Sequence, residues 1–169
     1  MSDWAEKLAI QEAVLRYARA VDRGDWHGVR SAYHPDAYDD HGEFKGSVDA
    51  LIAWLEDRFA GIDNGMHFIG NCLVEMTGAD SALTETYFIS HRVQGSGDNA
   101  TCRQGWGRYV DRFEKREDGV WRVARRTVVM DSIIELPVPG ARTGGGVTVW
   151  GERGPGDFLL QGLTKDEQA

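Results

Sequence analysis

A chain of 169 residues is long enough for one domain with its own core. Its 41% hydrophobic and 27% charged content is that of an ordinary globular protein. A net charge of −8 with no basic tract argues against nucleic acid or an anionic membrane surface as a partner. No apolar run approaches the ~20 residues that span a bilayer, and residues 1–6 lack the basic and apolar regions of a secretion signal. The expected location is the cytoplasm, with Cys72 and Cys102 as reduced thiols.

The spacing of Ile10, Val14, Tyr17, Ala18 and Val21 predicts an amphipathic helix over residues 4–22, capped by Ser2 or Asp3 and ended by Gly24. Asp25 caps a short second helix over 26–33, which stops before Pro35. Residues 36–46 read as a hairpin turned at Asp40-His41-Gly42. Ser47 caps a third helix over 48–60 with Leu51, Ile52, Leu55 and Phe59 on its apolar face. From Met66 the period changes to two, and runs 67–76, 81–93, 100–115 and 120–134 read as strands separated by Gly- and Asp-rich turns. Helices followed by a long antiparallel meander predict an α+β domain over residues 1–135, a curved antiparallel sheet with the N-terminal helices on its concave face. Residues 136–169 are rich in Gly and Pro, yet Val147, Val149, Trp150, Phe158, Leu159 and Leu160 are apolar. This segment is expected to wrap the domain or a neighbouring subunit.

Asp22 stands out because it lies at a helix C-terminus, where the macrodipole disfavours a carboxylate by roughly 0.3–1 kcal/mol. Either it lies in water, where the penalty is small, or a partner holds it, and His67, which opens the first long strand, is the candidate partner. An Asp–His pair is a sound general base: the carboxylate sets the imidazole tautomer and stabilises the imidazolium that forms. Tyr17 lies on the same helix as Asp22 and carries a hydroxyl donor. Tyr87, Ile89 and His91 share one strand face. In the last strand Arg122, Ala124, Arg126 and Val128 share one parity, and Trp121, Val123, Arg125, Thr127, Val129 and Asp131 the other; which parity faces inward is open. His34, Asp36, Asp39, Asp40, His41 and Glu43 form a cluster of metal-ligand types, but their spacing matches no metal motif, and no metal is expected. Gly144-Gly145-Gly146 lacks the helix and Lys-Ser/Thr of a phosphate loop.

The combination Y-x4-D ending the first helix, H-F-x-G-N opening a strand, Y-x-I-S-H, and G-V-W-R-V-x-R-R-x-V-V-M-D resembles the SnoaL-like branch of the NTF2-like superfamily over about residues 5–135. That branch includes scytalone dehydratase, hexachlorocyclohexane dehydrochlorinase and bile-acid 7α-dehydratase. The resemblance implies an NTF2-like cone enclosing a blind pocket, a homotrimer, and a lyase that uses no cofactor on a small hydrophobic cyclic or aromatic substrate. It implies that Asp22 and His67 are the catalytic dyad, assisted by Tyr17, His91 or Arg126. Tyr33, Tyr38, His41, Trp54, Tyr87 and Asp131 are the expected substrate contacts. The same fold also carries formaldehyde-releasing lyases on lignin-derived diaryl compounds, polyketide-cyclase or isomerase-like enzymes, and the non-catalytic small subunits of ring-hydroxylating dioxygenases.

Overall fold

The computed structural model describes residues 3–62, 64–95, 97–141 and 149–158. Helix α1 spans Trp4–Arg23, α2 Trp26–Ser31 and α3 Val48–Arg58. The strands are β1 (Tyr33–Asp40), β2 (Lys45–Ser47), β3 (Asn64–Met76), β4 (Ser81–Gln94), β5 (Thr101–Lys115) and β6 (Trp121–Pro137). They form one curved, unclosed sheet in the order β2-β1-β6-β5-β4-β3. Every pairing is antiparallel except β1 with β6.

Local chemistry explains the helix ends. Gly24 adopts φ 66°, a left-handed turn in which its N–H returns to Ala20 and Val21 carbonyls. Asp25 accepts the Gly28 N–H at 2.8 Å, and Ser47 accepts the Ala50 N–H at 3.4 Å. Asp3 is the α1 cap residue but makes no side-chain cap bond. Glu6 instead ties α1 to the sheet, accepting from Lys115 Nζ at 2.8 Å and Trp121 Nε1 at 2.5 Å.

The expected second helix is too long by two residues, because β1 already begins at Tyr33. Pro35 falls where the β1–β6 pairing is interrupted between Tyr33 and Tyr38, a stretch in which its missing N–H deprives no partner. The last strand, expected over 120–134, runs from Trp121 to Pro137. Of the C-terminal segment, Val149, Trp150 and Phe158 are exposed while Asp157 is buried; Gly144-Gly145-Gly146, Val147, Leu159 and Leu160 lie outside the described residues.

The core lies between the helices and the concave face of the sheet. Ile10, Val14, Tyr17 and Val21 of α1 and Leu51, Ile52 and Leu55 of α3 pack with Val74, Phe88, Tyr109, Phe113 and Val123 of the strands. Bulges bend the sheet around this core: one at Gly70-Asn71 in β3, and two in β6 opposite the Arg112/Phe113 and Trp106/Gly107 junctions. Cys72 and Cys102 are free thiols.

Gly107 is required by contact rather than by backbone angle. A Cβ there would lie 2.5 Å from the Val129 carbonyl and 3.1 Å from both Phe88 and Met130. Replacing Gly107 with Ala should destabilise the fold by about 1–3 kcal/mol, the usual range for overpacking, measured as a lower urea midpoint. An unchanged midpoint would show that the neighbouring strand yields freely.

Candidate active site

The open end of the cone holds a cavity of about 430 Å³ with a predominantly apolar lining, a volume typical of small-molecule sites. Tyr17, Phe88 and Tyr109 form one part of its wall, Trp54, Leu55 and Phe59 of α3 another, and Val128, Met130 and Ile133 of β6 a third. Gly105, facing Ser90 and Met130, keeps the β5 wall low.

Asp22 and His67 meet at its edge. His67 Nδ1 lies 2.6 Å from Asp22 Oδ1, and the His67 backbone N–H donates to Asp22 Oδ2 at 2.8 Å. One carboxylate thus grips both the backbone and the ring of the same residue, fixing the imidazole's orientation. With Nδ1–H donating to Asp22, the lone pair is left on Nε2, which has no protein hydrogen-bond partner among the described residues. Asp22 is buried, and His67 lines the cavity.

The helix-end penalty on Asp22 is offset from a direction that periodicity did not reveal. Arg153 donates to the last carbonyls of α1, Val21 O at 2.7 Å and Asp22 O at 3.2 Å, and stacks its guanidinium 4.5 Å from the Phe59 ring. A cation at a helix C-terminus is the favoured charge. Arg23 pairs with Asp157 at 3.1 Å, so residues 149–158 are held against the end of α1.

A second Asp–His pair comes from the opposite edge of the sheet. His41 Nδ1 bonds Asp39, whose other carboxylate oxygen accepts the Tyr33 hydroxyl at 2.7 Å. His41 lines the cavity beside Trp54, with ring centroids 5.7 Å apart. Behind it runs a fully buried network. Arg126 holds Asp111 through two bonds of 2.8 and 2.6 Å, donates to Tyr33 Oη at 3.2 Å, and lies between the rings of Tyr17 and Tyr109 at 4.2 and 4.1 Å.

The other expected site residues are placed as follows. Tyr17 presents its ring to the cavity, and burial pushes its phenol pKa up to about 12, so it stays a neutral hydroxyl with Tyr33 and Arg126 as its polar neighbours. Trp54 lines the cavity, stacked on Phe44. Arg126, expected as a catalytic group, has no exposed surface and does not face the cavity; its guanidinium is consumed by Asp111. Tyr33, expected at the substrate, is buried behind Tyr17. His91 borders the mouth beside Gly65, but its ring turns to the other face of β4, where Nδ1 lies 3.2 Å from Gln104 Nε2 and 3.4 Å from Cys102 Sγ. Tyr87 and Asp131 flank Arg108 on that outer face, and Tyr38 lies under Arg125; none of the three lines the cavity.

Arg126 and Tyr33 are buried within the core network, whereas the outward positions of Tyr87, His91 and Asp131 share one cause, the phase of strand alternation. The inward set of β4 is Thr84, Thr86, Phe88, Ser90 and Arg92, the opposite phase to Tyr87 and His91. In β6 both expected parities are partly right, because a bulge at Ala124 switches the inward residues from Trp121 and Val123 to Arg126, Val128 and Met130. A second at Asp131 switches them again to Ile133. Ser90, Arg92 and Arg103 were therefore missed; they line the cavity, and Ser90 stands opposite His67 in the β3–β4 register. The sequence carried no signal for them, since Leu83, Tyr87 and Ile89 make the other phase of β4 the more apolar one.

The candidate metal cluster disperses in space. His34 Nε2 engages the Glu114 carbonyl, Asp36 pairs with Arg116, Asp40 with Lys45 and Glu43 with Arg58.

The comparisons agree with this fold. Residues 3–127 match the SnoaL-like domain family. A curated relative is the uncharacterized protein Rv2910c of Mycobacterium tuberculosis strain H37Rv, 25% identical over 129 residues, covering 75% of this chain and 86% of that protein. Among solved structures, the Kfla4162 protein of Kribbella flavida superposes with a TM-score of 0.71 at 17% identity, covering 79% of this chain and 95% of that one. Hexachlorocyclohexane dehydrochlorinase LinA-type3 of Novosphingobium barchaimii LL02 superposes with a TM-score of 0.68 at 16% identity, covering 87% and 95%. At these identities the structural matches establish the fold, while the domain match covers well over half of the sequence. The protein belongs to the SnoaL-like domain family, on the NTF2-like fold.

Proposed function

We propose that this chain is a cofactor-independent lyase that eliminates water or another leaving group from a small, largely apolar cyclic substrate. The observation that carries the reading is the Asp22–His67 pair, oriented by two hydrogen bonds from one carboxylate and set at the edge of a mainly apolar cavity. His67 Nε2 takes a proton from a substrate carbon, and Asp22 stabilises the resulting imidazolium. The leaving group departs from the adjacent carbon. His41, held by Asp39 on the far side of the cavity, supplies the proton that the departing oxygen needs. Tyr17 and Phe88 shape the apolar floor, and a dry wall strengthens each of these interactions.

Two features favour this over a scaffolding role. The cavity is open rather than filled by the chain's own side chains, and two of the histidines that line it, His41 and His67, are each held by a buried carboxylate. The dehydrochlorinase that shares the fold is named for an elimination, which is consistent with the same class of chemistry. Self-association, as a homotrimer, is part of the same proposal. The outer sheet face leaves Leu73, Leu83 and Val110 exposed, and light scattering tests it.

The test is a panel of cyclic β-hydroxy ketones and cyclic halides, each in a neutral and a carboxylate-bearing form, incubated with the chain in the presence of EDTA and followed by proton NMR. Turnover to the unsaturated product is expected with no added cofactor. Replacing Asp22 with Asn should lower kcat roughly 10²-fold by releasing the ring from its tautomer and orientation. Absence of turnover across the panel, or full activity in Asp22→Asn, would overturn the reading.

A further inference from the structure

The cavity mouth gathers positive charge that the proton-transfer chemistry leaves unused. Arg58 of α3, Arg92 of β4 and Arg103 of β5 all line it, in a chain whose net charge is −8. Arg92 and Arg103 stand directly opposite one another in the β4–β5 register, an arrangement that like charges disfavour. Two of the three are neutralised: Arg58 bonds Glu43 at 2.7 Å and Arg103 bonds Glu135 at 2.5 Å. Arg92 has no carboxylate at salt-bridge distance among the described residues. Its guanidinium instead lies 5.5 Å from the centre of the Phe59 ring. Glu135 and Glu43 act on it only from farther away. Burial first, then Arg58 and Arg103, push its pKa below the ordinary arginine value, although it stays charged. The free protein thus holds a half-buried cation with no carboxylate of its own at salt-bridge distance among the described residues, beside two arginines that have theirs, a condition that a bound anion relieves.

We propose that Arg92 anchors a carboxylate of the substrate, so that the cavity takes an amphipathic organic acid whose apolar body lies against Phe88 and Tyr109. The inference rests on the reading of this cavity as the substrate site and adds the class of molecule it selects. Ser90 faces His67, and Arg92 is two residues further along β4, about 7 Å towards the mouth. A carboxylate on Arg92 and a reacting carbon at His67 are then separated by roughly the length of a fused bicyclic ring. The planar guanidinium suits a carboxylate through two parallel hydrogen bonds.

The experiment is isothermal titration of the full chain at low salt with naphthalene-2-carboxylate and with its neutral isostere naphthalene-2-carboxamide. The carboxylate should bind roughly tenfold tighter or better. In Arg92→Gln the preference should vanish while the carboxamide keeps its affinity; Arg92→Lys should retain part of it. His67→Ala should leave the preference intact, because the anchor and the base are separate groups. Equal affinities in the unaltered chain, no carboxylate binding at millimolar concentration, or a preference that survives in Arg92→Gln would each overturn the proposal. The measurement reads binding alone. A carboxylate preference that depends on Arg92 beside an empty substrate screen would sink the lyase reading and leave the anion site standing.

Discussion

Replacing His67 with Ala should abolish turnover, lowering kcat by about 10³–10⁴, the upper part of the range for a positioned general base. The side chain removed holds the nitrogen that accepts the proton, and Ser90 across from it has no comparable basicity. The fold should survive. His67 contributes one ring to the rim of an open cavity, and its backbone N–H still reaches Asp22 in the variant. The Asp22 carboxylate keeps that N–H, and the Arg153 guanidinium, bonded to the Asp22 backbone carbonyl, acts on it through space. Thermal melting checks the fold, and single-turnover rates check the chemistry. Added imidazole should restore a fraction of the rate by occupying the vacated space. Activity within tenfold of the parent chain would remove His67 from the mechanism and transfer the base assignment to His41.

The second large effect is on stability. Replacing Asp111 with Leu should destabilise the fold by about 3–5 kcal/mol, because it leaves the Arg126 guanidinium buried without its carboxylate. Both side chains have no exposed surface, so water cannot take the place of Asp111. For a chain of this size the loss corresponds to a fall in Tm of roughly 6–20 °C. Combining Asp111→Leu with Arg126→Met should recover much of that loss, since two apolar side chains replace a pair whose desolvation is itself unfavourable. The stacking of Arg126 between Tyr17 and Tyr109 limits the recovery. A single variant that melts within 2 °C of the parent, against the slope expected of roughly 2–4 °C per kcal/mol, would show that Asp39 or Tyr33 can assume the role of Asp111. Arg126 thereby illustrates how a residue expected at the chemistry serves instead as the foundation beneath it. It braces Tyr33, which braces Asp39, which holds His41 at the cavity wall.

Much of the architecture was legible in the order of residues. The face made by Ile10, Val14, Tyr17 and Val21 comes from a period that only a helix satisfies, and all four are buried. Caps at Asp25 and Ser47 and the stop at Gly24 are local chemistry, decided within three or four residues. Asp22 was conspicuous because its charge opposes the helix that carries it, and a misfit of that kind points to a partner. His67 as the partner came from its place at the head of a strand and from motif resemblance.

What depended on the tertiary structure is everything set by relative phase and by distant segments. Side chains alternate along a strand, but alternation has no absolute origin, so Ser90 and Arg92 rather than Tyr87 and His91 face the cavity only because β4 sits in one register against β3 and β5. Two bulges in β6 shift that phase within a single strand, which no constant period can describe. Arg153 reaches the end of α1 from more than a hundred and twenty residues away, and Arg126 comes to support Tyr33, and through it Asp39, only once β1 lies beside β6. Short-range preferences are written into neighbouring residues, whereas the meeting of His41, His67 and Arg92 around one cavity is a property of how the sheet curves.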